Sequence, residues 1–413
     1  MLSAALIMAI SAVGPAFLNN TAVFTQNLLY SFAFVILFAT VLEYVVQLNI
    51  WRVLCVSGLR GSEVANKVLP GAGYLVTALI VFGGLAFNIG NVGGGGLGFA
   101  TILGGDALTS AFFTIGTFKF GWLEFGYLVS AVIAITVFVM KDALRAMDMV
   151  TRVMGGAMIL VILIVVGMVN PPLAQTAKEA ILPTATWSSM YTPIMALLGG
   201  TIGGYITFAG AHRLIDAGIT GQKNLREISV SSIMGVSVAT VVRIFLFLLF
   251  LGVIVTGVAG NADFVLNPDS PAADAFNIAS GRAGGLFFGI VLMCAAITSI
   301  IGAAYTSISF LKTSSQWIAN NEKLATVLFI VFSTIVILIF GRPAKIMVFA
   351  GVFNGLILPI TLTICLIAAN SKKIMGEGYR HATWLTVTGA IVAPVVAYMA
   401  IEALIDLLKS NLF

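Results

Sequence analysis

Apolar residues run through this chain in blocks long enough to cross a bilayer, and polar residues gather in the short intervals between them. A spanning helix needs roughly 20 consecutive apolar residues. On that measure the pattern predicts about eleven spans, at 3–28, 31–55, 72–104, 120–140, 149–169, 190–218, 229–258, 283–311, 322–341, 344–369 and 383–408. The intervals are short, so residues 1–413 read as a single, all-α transmembrane domain with no soluble enzyme module. The longest intervals are 171–189 and 259–282, and the second carries Asp263, Asp269 and Asp274.

Two spans are interrupted by residues that helices tolerate poorly. Gly14 and Pro15 fall inside the first, in MAISAVGPAFLNNTAVFTQ, where proline removes a helix hydrogen bond. Gly199, Gly200, Gly203 and Gly204 fall inside the sixth, in ALLGGTIGGYITFAGAHRLIDAG. Each break sits in the first helix of a group of five. The grouping predicts a first repeat over about 3–170 and a second over about 190–369, with one additional helix over about 383–408. Five spans per group inverts the second relative to the first. Breaks in matching halves point to a transporter substrate site at mid-membrane; close helix packing is the other use of such glycines.

Composition agrees with the pattern. The chain is 60% hydrophobic and 9% charged, with a mean hydropathy of +1.08, which places it outside the soluble class. Its basic excess does not form a nucleic-acid patch. One set of alternate loops holds Arg52, Arg60, Lys67, Lys141, Arg145, Arg152, Arg213, Lys223, Arg226, Lys312, Lys323, Lys372, Lys373 and Arg380. The opposite set holds Lys119, Lys178, Arg282, Arg342, Lys345 and Lys409. By the positive-inside rule the N-terminus lies in the cytoplasm and the C-terminus outside, in a cell (inner or plasma) membrane. The first segment has no basic leader and reads as a retained helix. Cys55, Cys294 and Cys365 are scattered in apolar surroundings, without metal spacing.

The order of spans, the stretch FVILFATVLEYVVQLNIWRV and the stretch GGTIGGYITFAGAHR resemble the natural-resistance-associated macrophage protein (NRAMP) family over nearly the whole chain. The resemblance implies a leucine-transporter-like fold of eleven helices, alternating access, and, for that family, proton-coupled uptake of divalent metals. The family's metal-binding motifs are replaced here. Its first-helix Asp-Pro-Gly-Asn falls on Gly14, Pro15, Ala16 and Phe17, and its sixth-helix Met-Pro-His falls on Gly203, Gly204 and Tyr205. The resemblance is therefore to a divergent branch without the metal-coordinating side chains.

What stands near the breaks suits a different cargo. Divalent cations need carboxylate or other hard oxygens, and transition metals gain from imidazole or sulfur. The residues expected at the substrate site are instead Gly14, Ala16, Phe17, Asn20, Thr21, Asn91, Gly200, Gly203, Gly204 and Tyr205, with no metal ligand among them. Gly93 to Gly96 either widen that pocket or serve a tight crossing. Charged residues inside spans are functional candidates, and Arg243 in the seventh span, where the family usually has asparagine, argues against a bare metal ion. It either meets a substrate anion or pairs with Glu43 in the second span. His212 and Asp216 lie four residues apart, so they can meet on one helix face as a proton carrier or a local cluster. Thr298 and Ser299 in the eighth span are hydroxyls which, in sodium-coupled relatives of this fold, help to form a sodium site; back-bonding to the helix is the plainer use.

The chain therefore reads as a secondary transporter of a small organic, amino-acid-like solute, coupled to sodium or proton, with no cofactor. Its alternative is a divalent metal transporter of magnesium or manganese type with an atypical site. A channel is the lesser competitor, and no catalytic motif supports an enzyme. Its partners are the lipid bilayer and the solute or cation; oligomeric state is not encoded in any motif.

Overall fold

A computed structural model describes residues 13–116, 118–140, 143–256, 265–312, 315–341 and 343–409. The start of the first predicted span, Lys141, Asp263 and Arg342 lie outside these residues. Thirteen helices concern us: α1 (Pro15–Leu28), α2 (Phe32–Ser57), α3 (Gly61–Val68), α4 (Ala72–Leu103), α5 (Trp122–Val139), α6 (Ala143–Val169), α7 (Trp187–Thr201), α8 (Tyr205–Asp216), α9 (Leu225–Thr256), α10 (Pro271–Leu311), α11 (Glu322–Phe340), α12 (Pro343–Ala369) and α13 (Thr383–Lys409).

Nine helical stretches among the described residues are long and apolar enough to cross a membrane, or ten if Gly156–Val169 and Leu173–Glu179, bent by 109°, count as one. One of the nine, Pro15–Ser57, is 43 residues long. A single helix of that length would be about 65 Å, twice a hydrocarbon core of about 30 Å. It turns at Leu29, whose φ of 47° lies in the left-handed region, so α1 and α2 are separate crossings. With that division, and with the bent pair taken as one span, helices stand at each of the eleven predicted positions, the first of them described only from Val13.

One feature follows the sequence pattern and two differ from it. The sixth span is two helices, α7 and α8, as its glycines suggested. The eighth begins earlier than expected, because Pro271 starts a helix that kinks at Ser280 and Gly281 before running on through the membrane. The chain is also not wholly helical. β1 (Ala111–Ile115) and β2 (Phe118–Gly121) form an antiparallel hairpin between α4 and α5. Aromatic and branched residues in AFFTI and FKF favour strand, and Gly116, at φ 61°, supplies the turn.

The longest contact is between α4 and α10. Gly98 and Gly289 bring their backbones together: a Cβ on Gly98 would stand 2.7 Å from Met293 N, and one on Gly289 would stand 2.9 Å from Gly98 O. Apolar helices in lipid gain little from hydrophobic sorting, so close backbone packing through small residues holds them. At the end of α4, Arg282 donates to the carbonyls of Thr101 (2.8 Å), Leu103 (2.9 Å) and Ile102. A cation there satisfies the last carbonyls and suits the negative end of the helix. The lipid side of the bundle is lined by exposed residues such as Leu328, Phe332, Ile335 and Ile339 of α11.

The residues just before α13 are tied to α2. His381 Nε2 donates to Asn49 Oδ1 (2.9 Å), and Tyr379 Oη donates to His381 Nδ1 (2.7 Å). Burial, with Arg52 nearby, pushes the His381 pKa down to about 4.

Two predictions follow from this packing. Gly98→Val should lower the thermal unfolding midpoint sharply, since overpacking costs about 1–3 kcal/mol or more. Gly167→Ala, at an exposed helical site with nothing within 4 Å of the new methyl, should be neutral or stabilising by up to about 1 kcal/mol. Fluorescence-detected unfolding of the two variants separates them. For His381 the unfolded chain binds the proton more readily, so its contribution is complete above the ordinary value near 6.5 and is lost as pH falls toward about 4. His381→Gln should flatten that part of the stability–pH curve; an unchanged slope would contradict the tie.

Candidate substrate site

The two breaks are built by different means. At the first, Gly14 is extended (φ −92°, ψ −177°) and Pro15 opens α1 at its first position, where a missing N–H is no loss. A Cβ on Gly14 would stand 2.9 Å from Ser299 Oγ and 3.9 Å from Asn91 Oδ1. The first break thus meets α10 and α4. At the second, α7 ends at Thr201 and α8 starts at Tyr205. Gly204 between them has φ 50° and ψ −124°, a conformation that favours glycine. A Cβ there would also overlap Asn354 Oδ1.

Between the breaks lies a buried charge pair. Arg243 Nη1 donates to Glu43 Oε1 across 3.5 Å, and Nη2 donates to Thr201 Oγ1 across 2.8 Å. The guanidinium carbon lies 4.2 Å from the centre of the Phe17 ring, a cation–π arrangement. Arg243 is 2% exposed and Glu43 0%. The pair gathers α1, α2, α7 and α9 at one point, with Phe17 one turn from the first break and Thr201 at the edge of the second. It is incompletely bonded: Arg243 Nε and Glu43 Oε2 are buried without a hydrogen-bond partner. The sequence left open whether these two residues meet; they do.

Tyr205 and Asn91 form a second group. Asn91 lies within hydrogen-bonding reach of the Tyr205 side chain, its Nδ2 is otherwise unpartnered, and Tyr205 packs edge-on against Phe87 at 5.7 Å. From Tyr205 a cleft runs between α8 and α10 past Ser299, Thr298, Gly302 and Thr306 to Arg213. Its volume is about 60 Å³, room for a few waters, since one water needs roughly 10–15 Å³ by this measure. Gly200 is buried, yet a methyl on it would meet nothing within 4 Å, so internal space remains beside Thr201.

Other expected site residues are turned elsewhere. Asn20 Nδ2 donates to Met347 O (3.4 Å) on α12, and its neighbour Asn19 to Ala344 O (3.2 Å). Thr21 donates to Phe17 O and Thr298 to Ala295 O, both within their own helices. Ala16 is buried on α1, and Gly203 packs on Gly199 of α7. Gly93, Gly94, Gly95 and Gly96 do not widen a pocket: the space at each is filled by Pro343, Pro15, Ser130 and Tyr127 respectively. His212 and Asp216 do not bond to each other. His212 Nε2 accepts from Gly61 N (3.3 Å), and Asp216 pairs with Arg60 at 2.9 Å. Both side chains are drawn to α3 and the residue before it, which pack beside α8 and outcompete the i,i+4 contact.

Thr201 and Asn354 are site residues that the spacing of charges did not flag. Asn354 is 0% exposed; its Nδ2 donates to Gly83 O and Ala350 O, both 2.9 Å. Its Oδ1, against Gly204, has no partner. A lone asparagine in the apolar run VFAGVFNGLILP was the available signal. Among the described residues no three of His, Cys, Asp and Glu gather as a metal centre. The guanidinium can hold an anion; a cation entering there would meet Arg243 as well as the Glu43 carboxylate.

Comparison with known proteins places this geometry. A family model described as natural resistance-associated macrophage protein-like matches residues 5–406. An uncharacterised membrane protein of Bacillus subtilis (strain 168), YcsG, is 46% identical over 404 residues, 98% of this chain and 94% of that one. The manganese transporter of Eremococcus coleocola has a similar structure, with a TM-score of 0.74 at 16% identity over 98% of this chain and 86% of the other. MhsT, solved with L-phenylalanine, matches with a TM-score of 0.63 at 14% identity over 99% and 98%.

Removing one member of a buried pair strands the other charge, which costs about 3–5 kcal/mol. Glu43→Leu and Arg243→Met should each lower the unfolding midpoint strongly, and the double variant should recover most of the loss. Additive losses in that double-mutant cycle would contradict an interacting pair.

Proposed function

Because this chain belongs to the natural resistance-associated macrophage protein-like family and has the leucine-transporter-like fold, we propose that it is a secondary transporter whose site takes a small organic solute with a carboxylate. The family makes it a membrane transporter that carries a substrate through a lipid bilayer. The observation that carries the choice of solute is Arg243, a buried guanidinium between the two breaks with an unused Nε–H. Arginine presents paired donors that match a carboxylate. Phe17 and Tyr205 supply aromatic walls for an amino-acid-like body.

Alternating access follows the half-helices. α8 would rock with the cleft it shares with α10, which reaches from Tyr205 to Arg213 in this conformation. By the positive-inside reading, that is the cytoplasmic side. For coupling, Ser299 Oγ and Asn91 Oδ1 beside Gly14 offer only neutral oxygens, a set compatible with sodium; a proton is the other candidate. A second reading, transport of a divalent cation, is supported by the family and by the manganese transporter's similar fold. The small cleft volume suits it as well.

Purified protein should be titrated calorimetrically with manganese, magnesium, pyruvate, L-alanine and L-phenylalanine, with thermal unfolding in parallel. A true ligand raises the midpoint with concentration. The carboxylate reading expects an organic ligand to bind and Arg243→Gln to weaken it at least about tenfold, the loss of one charge-assisted contact. Saturable manganese binding without an organic ligand would overturn it.

A further inference from the structure

The charge pair that this site reading relies on has a second property. Its one ionic contact is long, at 3.5 Å, while the guanidinium holds Thr201 more closely, at 2.8 Å. Glu43 keeps a free oxygen and Arg243 a free N–H, both buried. The pair is therefore balanced in charge but only partly bonded, and a carboxylate entering beside Thr201 would compete with Glu43 for the same guanidinium.

We propose that Glu43 is the proton-carrying group of the cycle: a substrate carboxylate takes over Arg243, and Glu43 leaves the pair by binding one proton. This rests on the carboxylate reading above. The charges balance as follows. The empty site holds one carboxylate and one guanidinium, net zero. Loaded with a solute that carries no cation of its own, such as pyruvate, the site holds two carboxylates, one guanidinium and one proton on Glu43, again net zero. Without the proton, a net negative charge would sit in a dry interior, where like charges close together cannot both stay ionised. The proton comes from the water on the loading side and is released when the solute leaves and Glu43 returns to Arg243. One carboxylate and one proton move together.

Among the described residues Glu43 has no other charge to turn to. Arg243 of α9 is the charged neighbour acting on it, and α7 gives it the Thr201 hydroxyl. α7 has no Asp, Glu, Lys or Arg, and its tyrosine, Tyr191, lies in its second turn. The charges of α8, Arg213 and Asp216, lie in its final turn together with His212, and Asp216 is paired with Arg60. α12 has only Lys345 near its start, besides the thiol Cys365. α13 has Glu402, Asp406 and Lys409 near its end, with Tyr398 before them. On α9, Arg226 and Glu227 lie in the first turn, four turns from Arg243. α1 has no charged residue, and Gln47, one turn along α2, donates to Ser232 O.

The test is calorimetric titration of the full chain in lipid nanodiscs with pyruvate, L-alanine and L-phenylalanine, each in phosphate and in Tris at one pH. The difference in heat between the buffers counts protons taken up. The proposal expects about one proton per bound pyruvate in the wild type and about none in Glu43→Gln, whereas L-alanine and L-phenylalanine, whose ammonium balances their carboxylate, bind without net uptake. Should that variant not fold, the infrared difference spectrum of wild-type protein carries the test. Pyruvate should then create a protonated-carboxyl band that shifts with ¹³C-glutamate labelling. Binding of pyruvate with equal heats in both buffers, binding of the amino acids without pyruvate, or proton uptake that persists in Glu43→Gln, would overturn the proposal while leaving the carboxylate site standing. Absence of binding by all three probes would overturn the site reading, and this inference with it.

Discussion

A guanidinium in the middle of a membrane bundle must have a counter-charge and hydrogen-bond acceptors within reach, because the bilayer offers neither. Arg243 meets that requirement with Glu43, Thr201 and the face of Phe17. Those partners come from three helices besides α9 itself, so meeting the electrostatic demand fixes how the first and sixth spans approach the second and seventh. The contact with Thr201 also anchors the end of α7 where the helix gives way to Gly203 and Gly204. Charge and helix break are one structural unit.

Around that unit the bundle is held by small residues rather than by hydrophobic sorting. Gly98 against Gly289, Gly94 against Pro15 and Gly199 against Gly351 each bring a backbone into contact with another helix. The second of these matters for the site, because Pro15 opens α1 and its ring fills the space left by Gly94. The glycines of α4 thus position the first break from outside, while Gly204 and Asn354 shape the second from within. α8 itself meets α2, α3, the cleft at α10 and, through Tyr205, Phe87 and Asn91 of α4, so its movement would act on the helix that carries two of these glycines.

Much of this was legible in the order of residues. Span positions, the break at Gly203 and Gly204, and the placement of Arg243 and Glu43 inside the spans all follow from hydropathy and from charges placed where they are costly. Partner choice was not legible. The polar run from Asn19 to Thr25 looked like site lining, but Asn19 and Asn20 turn to backbone carbonyls of α12 and Thr21 bonds within its own helix. His212 and Asp216 had the spacing of a pair, yet a residue outside the helix claims each. Helical spacing says which side chains can meet on one helix, and neighbouring helices decide which contacts form. The hairpin at 111–121 escaped notice because a short aromatic run between spans reads as the end of a membrane segment.

The central claim is that a scaffold shared with metal transporters carries an organic anion once its metal-binding side chains are replaced and a guanidinium is set between the breaks. Isotope uptake into liposomes containing the purified chain, with labelled pyruvate, L-alanine and L-phenylalanine measured beside manganese, tests it most directly. The account predicts saturable accumulation of at least one of these carboxylates and manganese uptake no greater than in protein-free liposomes. Saturable manganese uptake, indifferent to all three carboxylates, would contradict it.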